Sequence, residues 1–163
     1  LVADEMLLDG NSRQNLATLD RGKYAPASGV AKGAYVLACA APNGKPDLIL
    51  MATGSEVQLV VEVYEKLVAE GVRARVVSMP SWELFEQQDQ TYRDSVLPPD
   101  CRRRVAVEQA STIGWARYTG FDGAIIGMST FGASAPLKEL VVKFGFTGDN
   151  VYAAAKAQLA RKE

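Results

Sequence analysis

The apolar run Leu48-Ile49-Leu50-Met51-Ala52 stops at the polar turn Thr53-Gly54-Ser55-Glu56, and a different periodicity begins at once. Val57, Val60, Val61, Tyr64, Leu67 and Val68 recur at three- and four-residue spacing, which marks one face of an amphipathic helix. A short, uninterrupted apolar run bounded by turn residues predicts a strand buried on both faces, as in a parallel sheet. Residues 73–78 read as the next strand and complete a βαβ unit. At the turn, Thr53 with Glu56 and Ser55 with Gln58 each have capping-box spacing, so one of the two hydroxyls is expected to cap the helix.

The alternation continues downstream. Residues 80–85 begin a short helix with Pro80 or Ser81 near its first turn, and residues 92–97 form a second one stopped by Pro98 and Pro99. Residues 104–108 predict a third parallel strand, 112–118 a helix, 124–126 a minimal fourth strand, and 136–144 and 149–159 two further helices. Upstream, residues 33–39 are a short strand. The segment 40–47 after them is too short for a helical crossover, so this strand is expected to pair antiparallel with Leu48–Ala52. The prediction is a three-layer α/β/α domain over residues 33–163, with a mixed, mostly parallel sheet and one antiparallel edge strand. Residues 1–32 differ. Asp9-Gly10-Asn11 and residues 24–29 are turn chemistry without a sustained period, which predicts an extended arm, weakly attached up to about residue 30.

Composition narrows the function classes. The 163 residues suffice for one domain and an arm. A net charge of −1 supports neither a nucleic-acid partner nor an acidic membrane surface. No apolar run approaches the roughly 20 residues of a membrane span, and no basic segment followed by an apolar one opens the chain. The expected location is the cytoplasm, with an organellar parent left open. The chain contains no histidine, which removes Ser-His-Asp and Cys-His nucleophilic systems, imidazole acid–base catalysis and most catalytic zinc sites. Cys39 and Cys101 lie far apart without a Cys-x-x-Cys pair, so there is no disulfide scaffold or zinc ribbon. Cys39 falls in a strand pattern and is expected in the core, Cys101 in a loop as an inert thiol.

The candidate chemistry is sparse. Gly54-Ser55-Glu56 opens a helix and could receive an anion, but it lacks the glycine spacing of a dinucleotide fingerprint or a phosphate loop, and capping explains its residues. Asp122-Gly123 and Gly148-Asp149 read as turns, with no accompanying set of oxygen ligands for a metal. Arg102-Arg103-Arg104 reads as solvated charge leading into a strand, with a phosphate patch as the lesser reading. Trp82, Phe85, Trp115 and Tyr118 read as core or interface aromatics. Ser12-Arg13-Gln14-Asn15 stands out as a polar cluster in a segment whose periodicity does not require it. The planar fork of Arg13 suits bidentate contact with a phosphate, and a solvated arm is the other reading.

Several segments together resemble one family. They are Ser12-Arg13-Gln14-Asn15-Leu16; the run from Leu48 to Val57 through Thr53-Gly54-Ser55-Glu56; Ala74 to Pro80; Tyr92 to Pro98; Phe131-Gly132-Ala133-Ser134-Ala135-Pro136; and Phe144 to Thr147 with Asn150 and Val151. In this order they are similar to the C-terminal end of transketolases, over about residues 12 to 160. The resemblance implies an enzyme that uses thiamine diphosphate and a divalent metal such as magnesium to move two-carbon ketol units between ketose and aldose phosphates. It implies that the cofactor sits in two preceding domains, so this chain holds neither cofactor nor metal and has no catalysis of its own. Residues 1–32 would be the end of the pyrimidine-binding domain, and residues 33–163 the C-terminal domain. The partners implied are the other domains, a homodimer partner and, in the whole enzyme, sugar phosphates. The one site residue carried over is Arg13, as a contact to the substrate phosphate. Family members run an apolar strand directly into Ser-Arg-Gln, and Leu7-Leu8-Asp9-Gly10-Asn11 departs from that pattern. A similar terminal domain occurs in the β subunit of 2-oxoacid dehydrogenases and in deoxyxylulose-phosphate synthase; Arg13-Gln14-Asn15 and the 131–136 motif favour transketolase. A free-standing interaction or regulatory module is the alternative from another class.

Overall fold

A computed structural model describes residues 18–128 and 137–161, and the side chains of 18–128 and 139–161. Arg13 and the 131–136 motif lie outside the described residues. Five strands make one sheet: β1 (Tyr35–Cys39), β2 (Leu48–Ala52), β3 (Ala74–Ser78), β4 (Arg104–Ser111) and β5 (Ala124–Met128). The helices are α1 (Glu56–Ala69), α2 (Trp82–Glu86), α3 (Gln90–Val96), α4 (Ala116–Thr119), α5 (Leu137–Lys143) and α6 (Gly148–Ala160). Ahead of β1, Ala27–Lys32 forms a tight 3-10 turn. Among the described residues no helix is long and apolar enough to cross a membrane.

The period of two along the strands builds the three layers. Leu48, Leu50 and Ala52 of β2 join Val76 and Val107 on the face covered by α1 and α6. Ile49 and Met51 turn the other way and join Val77 and Ala106 with Phe85, Val96, Trp115 and Tyr118. All five residues of β2 have no exposed surface, as a central strand covered on both faces requires.

The strand order is β1-β3-β2-β4-β5, parallel throughout except for β1. The antiparallel edge strand is therefore present, but its partner is not Leu48–Ala52. β1 pairs with β3, Tyr35 standing opposite Ser78. Both edges of β2 are taken by β3 and β4, so β1 is left the outer edge of β3. The loop 40–47 passes under the start of β3, where Ala40 N–H reaches the Ala74 carbonyl at 3.0 Å and Asp47 N–H the Arg73 carbonyl at 2.9 Å. A loop of that length extends well beyond one strand spacing of about 4.8 Å, so its shortness excludes a helix without choosing a neighbour.

One further expectation changes. Ser55 is already helical, makes no side-chain cap, and donates its hydroxyl to Glu56 Oε1 at 2.6 Å. The first turn of α1 closes instead by the Val57 N–H reaching the Gly54 carbonyl at 3.3 Å. Side-chain caps occur elsewhere: Ser81 for α2, Asp89 for α3 and Thr147 for α6. Of the arm, expected to be weakly attached up to about residue 30, the described part packs Leu19, Tyr24, Ala25 and Val30 on the core beside α1.

Candidate functional site

The chain leaves β2 toward β3 on one side and reaches β4 on the other, so the sheet has its topological switch point between β2 and β4. The helix after β2 lies on one face of the sheet and the helix after β4 on the other. Crevices at the carboxyl ends of such strand pairs are where open α/β sheets bind ligands. Here the crevice carries Gly54-Ser55-Glu56 after β2, and Glu108 of β4 with the loop that follows it.

Glu56 is nearly buried, at 5% exposure, and receives the Ser55 hydroxyl. Glu108 stands beside Gly127 of β5 in the sheet register. Burial pushes its carboxyl up to about 7, and the charge of Glu56 pushes in the same direction. Trp115, fully buried, turns its indole N–H toward Glu108 without closing a hydrogen bond of good geometry. Gly127 lets the post-β4 loop close over β5, since a Cβ there would stand 2.6 Å from Thr112 Cγ2. A carboxyl group near neutrality can take or release a proton. Sequence reasoning missed this pair, because Glu108 and Glu56 are 52 positions apart in the chain and meet only through the β2–β4 pairing.

A pH dependence follows. Folded Glu108 binds its proton more tightly than a glutamate at the ordinary 4.5, so its ionisation opposes folding. Stability from this group is full below about pH 4.5 and falls as pH rises through about 7. Relative to Glu108→Gln, the wild-type chain is expected to lose about 1–3 kcal/mol between about pH 5 and about pH 8, allowing for water at a half-exposed side chain. Urea denaturation of both proteins across that range checks this; parallel pH profiles would refute it.

The other candidate residues have structural partners. Gly54, at φ 55°, makes the turn before α1. Asp122 is held by Arg102 at 2.8 Å and Arg161 at 2.7 Å, a structural ion triad. Among the described residues no group of three or more His, Cys, Asp or Glu side chains could hold a metal ion. Cys39 is half-buried and Cys101 buried, both free, and burial pushes the Cys101 thiol up, away from reactivity. The arginine run is not uniformly solvated. Arg102 is exposed, but Arg104 turns inward and donates to the carbonyls of Cys101 at 2.8 Å, Tyr118 at 2.6 Å and Pro98 at 2.8 Å. The four aromatics do form one cluster, with Trp82 and Trp115 edge to face at 5.2 Å.

Residues 33–147 match the model of the transketolase-like C-terminal domain. The chain belongs to that family. It is 55% identical over 148 residues to transketolase 1 of Escherichia coli (strain K12), which covers 91% of this chain and 22% of that protein. Its fold superposes on the transketolase from Leishmania mexicana with a TM-score of 0.79 at 40% identity, over 91% of this chain and 20% of that one. A transketolase of Pichia stipitis in complex with sedoheptulose-7-phosphate gives 0.76 at 35% identity, over the same shares. This chain thus spans about a fifth of the length of the relatives it matches.

Proposed function

We propose that this chain serves as the C-terminal part of a transketolase, a cytoplasmic homodimeric enzyme that moves two-carbon ketol units from ketose phosphates to aldose phosphates. The observation that carries the reading is the 55% identity to a transketolase across 91% of the chain. When bound, thiamine diphosphate with its divalent metal supplies the electron sink for breaking the ketose C–C bond. The described residues do not fit that group. They bring together no metal-binding set, and the chain has no histidine, so no step of the reaction is assigned to them. The role proposed for residues 33–163 is packing against the preceding domains and the dimer partner. The role proposed for Arg13 is to hold the sugar phosphate, converting remote binding energy into orientation at the reacting carbon.

The test uses the longer protein that carries this chain, with the isolated chain as the inactive control. Arg13→Ala is expected to lower kcat/KM for phosphorylated donors and acceptors roughly 10- to 150-fold, the worth of a charged hydrogen bond of about 1.5–3 kcal/mol. Unphosphorylated ketoses should lose little. Arg13→Lys should restore only part, because an ammonium replaces the charge but not the fork. An equal loss for both donor classes would remove the phosphate role of Arg13. Absence of ketol transfer by the longer protein would remove the functional reading itself.

A further inference from the structure

The pairing of β1 with β3 skips one residue. Val36 stands opposite Val77 and Ala38 opposite Val76, leaving Leu37 as the extra residue of a bulge. A bulged residue has no counterpart on the adjacent strand. Leu37 is only 3% exposed, so water is a poor substitute for that lost partner. Its carbonyl is taken by the Ala25 N–H at 2.9 Å.

This bond is one of several between the arm and the β1–α1 flank. Lys23 Nζ and Tyr24 Oη both donate to Glu65 on α1, at 2.6 and 2.5 Å. Tyr24, Leu19, Ala25 and Val30 pack on the core below. At Gly29 the arm lies so close to Tyr35 that a Cβ would stand 2.3 Å from the ring. The arm ends where the Ser81 N–H donates to the Gly33 carbonyl at 2.9 Å. All these contacts but the last come from residues before position 33, where the family model begins.

We propose that residues 18–32 are a strap built into this domain: it closes the β1 edge at the Leu37 bulge and is clasped by Glu65. The body that moves as a unit then includes this segment together with the sheet and α1. At Leu37 the strap also takes an edge carbonyl that a strand of another chain would otherwise use. It depends only on the arm's own contacts, and so stands whether or not the chain serves a transketolase.

Hydrogen exchange followed by mass spectrometry on the whole 163-residue chain tests it. In the wild type, residues 18–32 are expected to exchange at least about 10-fold more slowly than an unstructured peptide of the same sequence. Glu65→Ala keeps a good helix former on α1 but removes the acceptor of both clasp bonds. It is expected to speed exchange over residues 18–25 at least about 10-fold while β2 and β4 keep their protection. Glu62→Ala, on the same helix, should leave the strap unchanged. Gly29→Val, which has no room beside Tyr35, should loosen the segment from the other end. Exchange of the wild-type arm at the unstructured rate, or equal effects of Glu65→Ala and Glu62→Ala, would overturn the proposal.

Discussion

Trp115→Ala is expected to destabilise the chain by about 3–5 kcal/mol, at the upper end for truncation of one buried side chain. Trp115 has no exposed surface and fills the layer between the sheet and α2. Its ring meets Trp82 at 5.2 Å with an interplanar angle of 86° and Tyr118 at 6.3 Å and 74°. Phe85 extends the cluster, 6.1 Å from Tyr118. Removing the indole loses its transfer free energy, leaves a cavity that the surrounding backbone cannot collapse, and breaks two aromatic pairs of about 0.5–1.5 kcal/mol each. Trp115→Phe should recover more than half of the loss, since the indole N–H closes no hydrogen bond. Urea denaturation with near-ultraviolet circular dichroism reads both effects. A cost below about 1 kcal/mol for the alanine variant would mean that the cluster is not a working part of the core.

Arg104→Ala is expected to cost about 2–4 kcal/mol, far outside the range of a surface arginine. The guanidinium ties the loop after α3 to the end of α4, donating to Cys101, Pro98 and Leu97 on one side and Tyr118 on the other. Its partners are neutral carbonyls, so the bond set substitutes for hydration rather than forming an ion pair. Burial pulls the guanidinium below its ordinary value, although arginine remains charged. Alanine would strip several half-buried carbonyls of their donor at once. Arg104→Lys should recover less than half, because one ammonium cannot reach both sides. A loss within about 0.5 kcal/mol in the same denaturation experiment would restore the solvated reading of this position.

These two residues show unequal legibility. Trp115 belongs to an aromatic set whose spacing, with Trp82, Phe85 and Tyr118, signals burial from the order of residues alone. Arg104 sits in a run of three like charges, and composition treats all three alike. Only the fold separates them: Arg102 meets Asp122 in solvent, while Arg104 is turned inward against carbonyls that nothing local in the chain marks. Glu108 is similar. One glutamate in a strand is unremarkable until β2–β4 pairing brings Glu56 near it in a partly buried crevice. Ser55 shows the opposite error. Its spacing to Gln58 fits a cap, but the helical conformation already adopted at Ser55 turns the hydroxyl to Glu56 instead.

By itself, the order of residues determined the elements and their faces. The all-apolar β2, the 3.6-residue stripe of α1 and the proline stops each express a local preference, so they survive in any fold the chain adopts. It also determined the family, because the motifs recur in sequence order. The tertiary structure decided which strands are neighbours, since a loop such as 40–47 permits several partners and the choice of β3 follows from competition for the edges of β2. It decided too that residues of the arm such as Leu19, Tyr24 and Val30 pack on the core, and that Arg104 and Glu108 are partly buried. Those outcomes depend on desolvation and on hydrogen bonds between residues distant in the chain, and no periodicity encodes them.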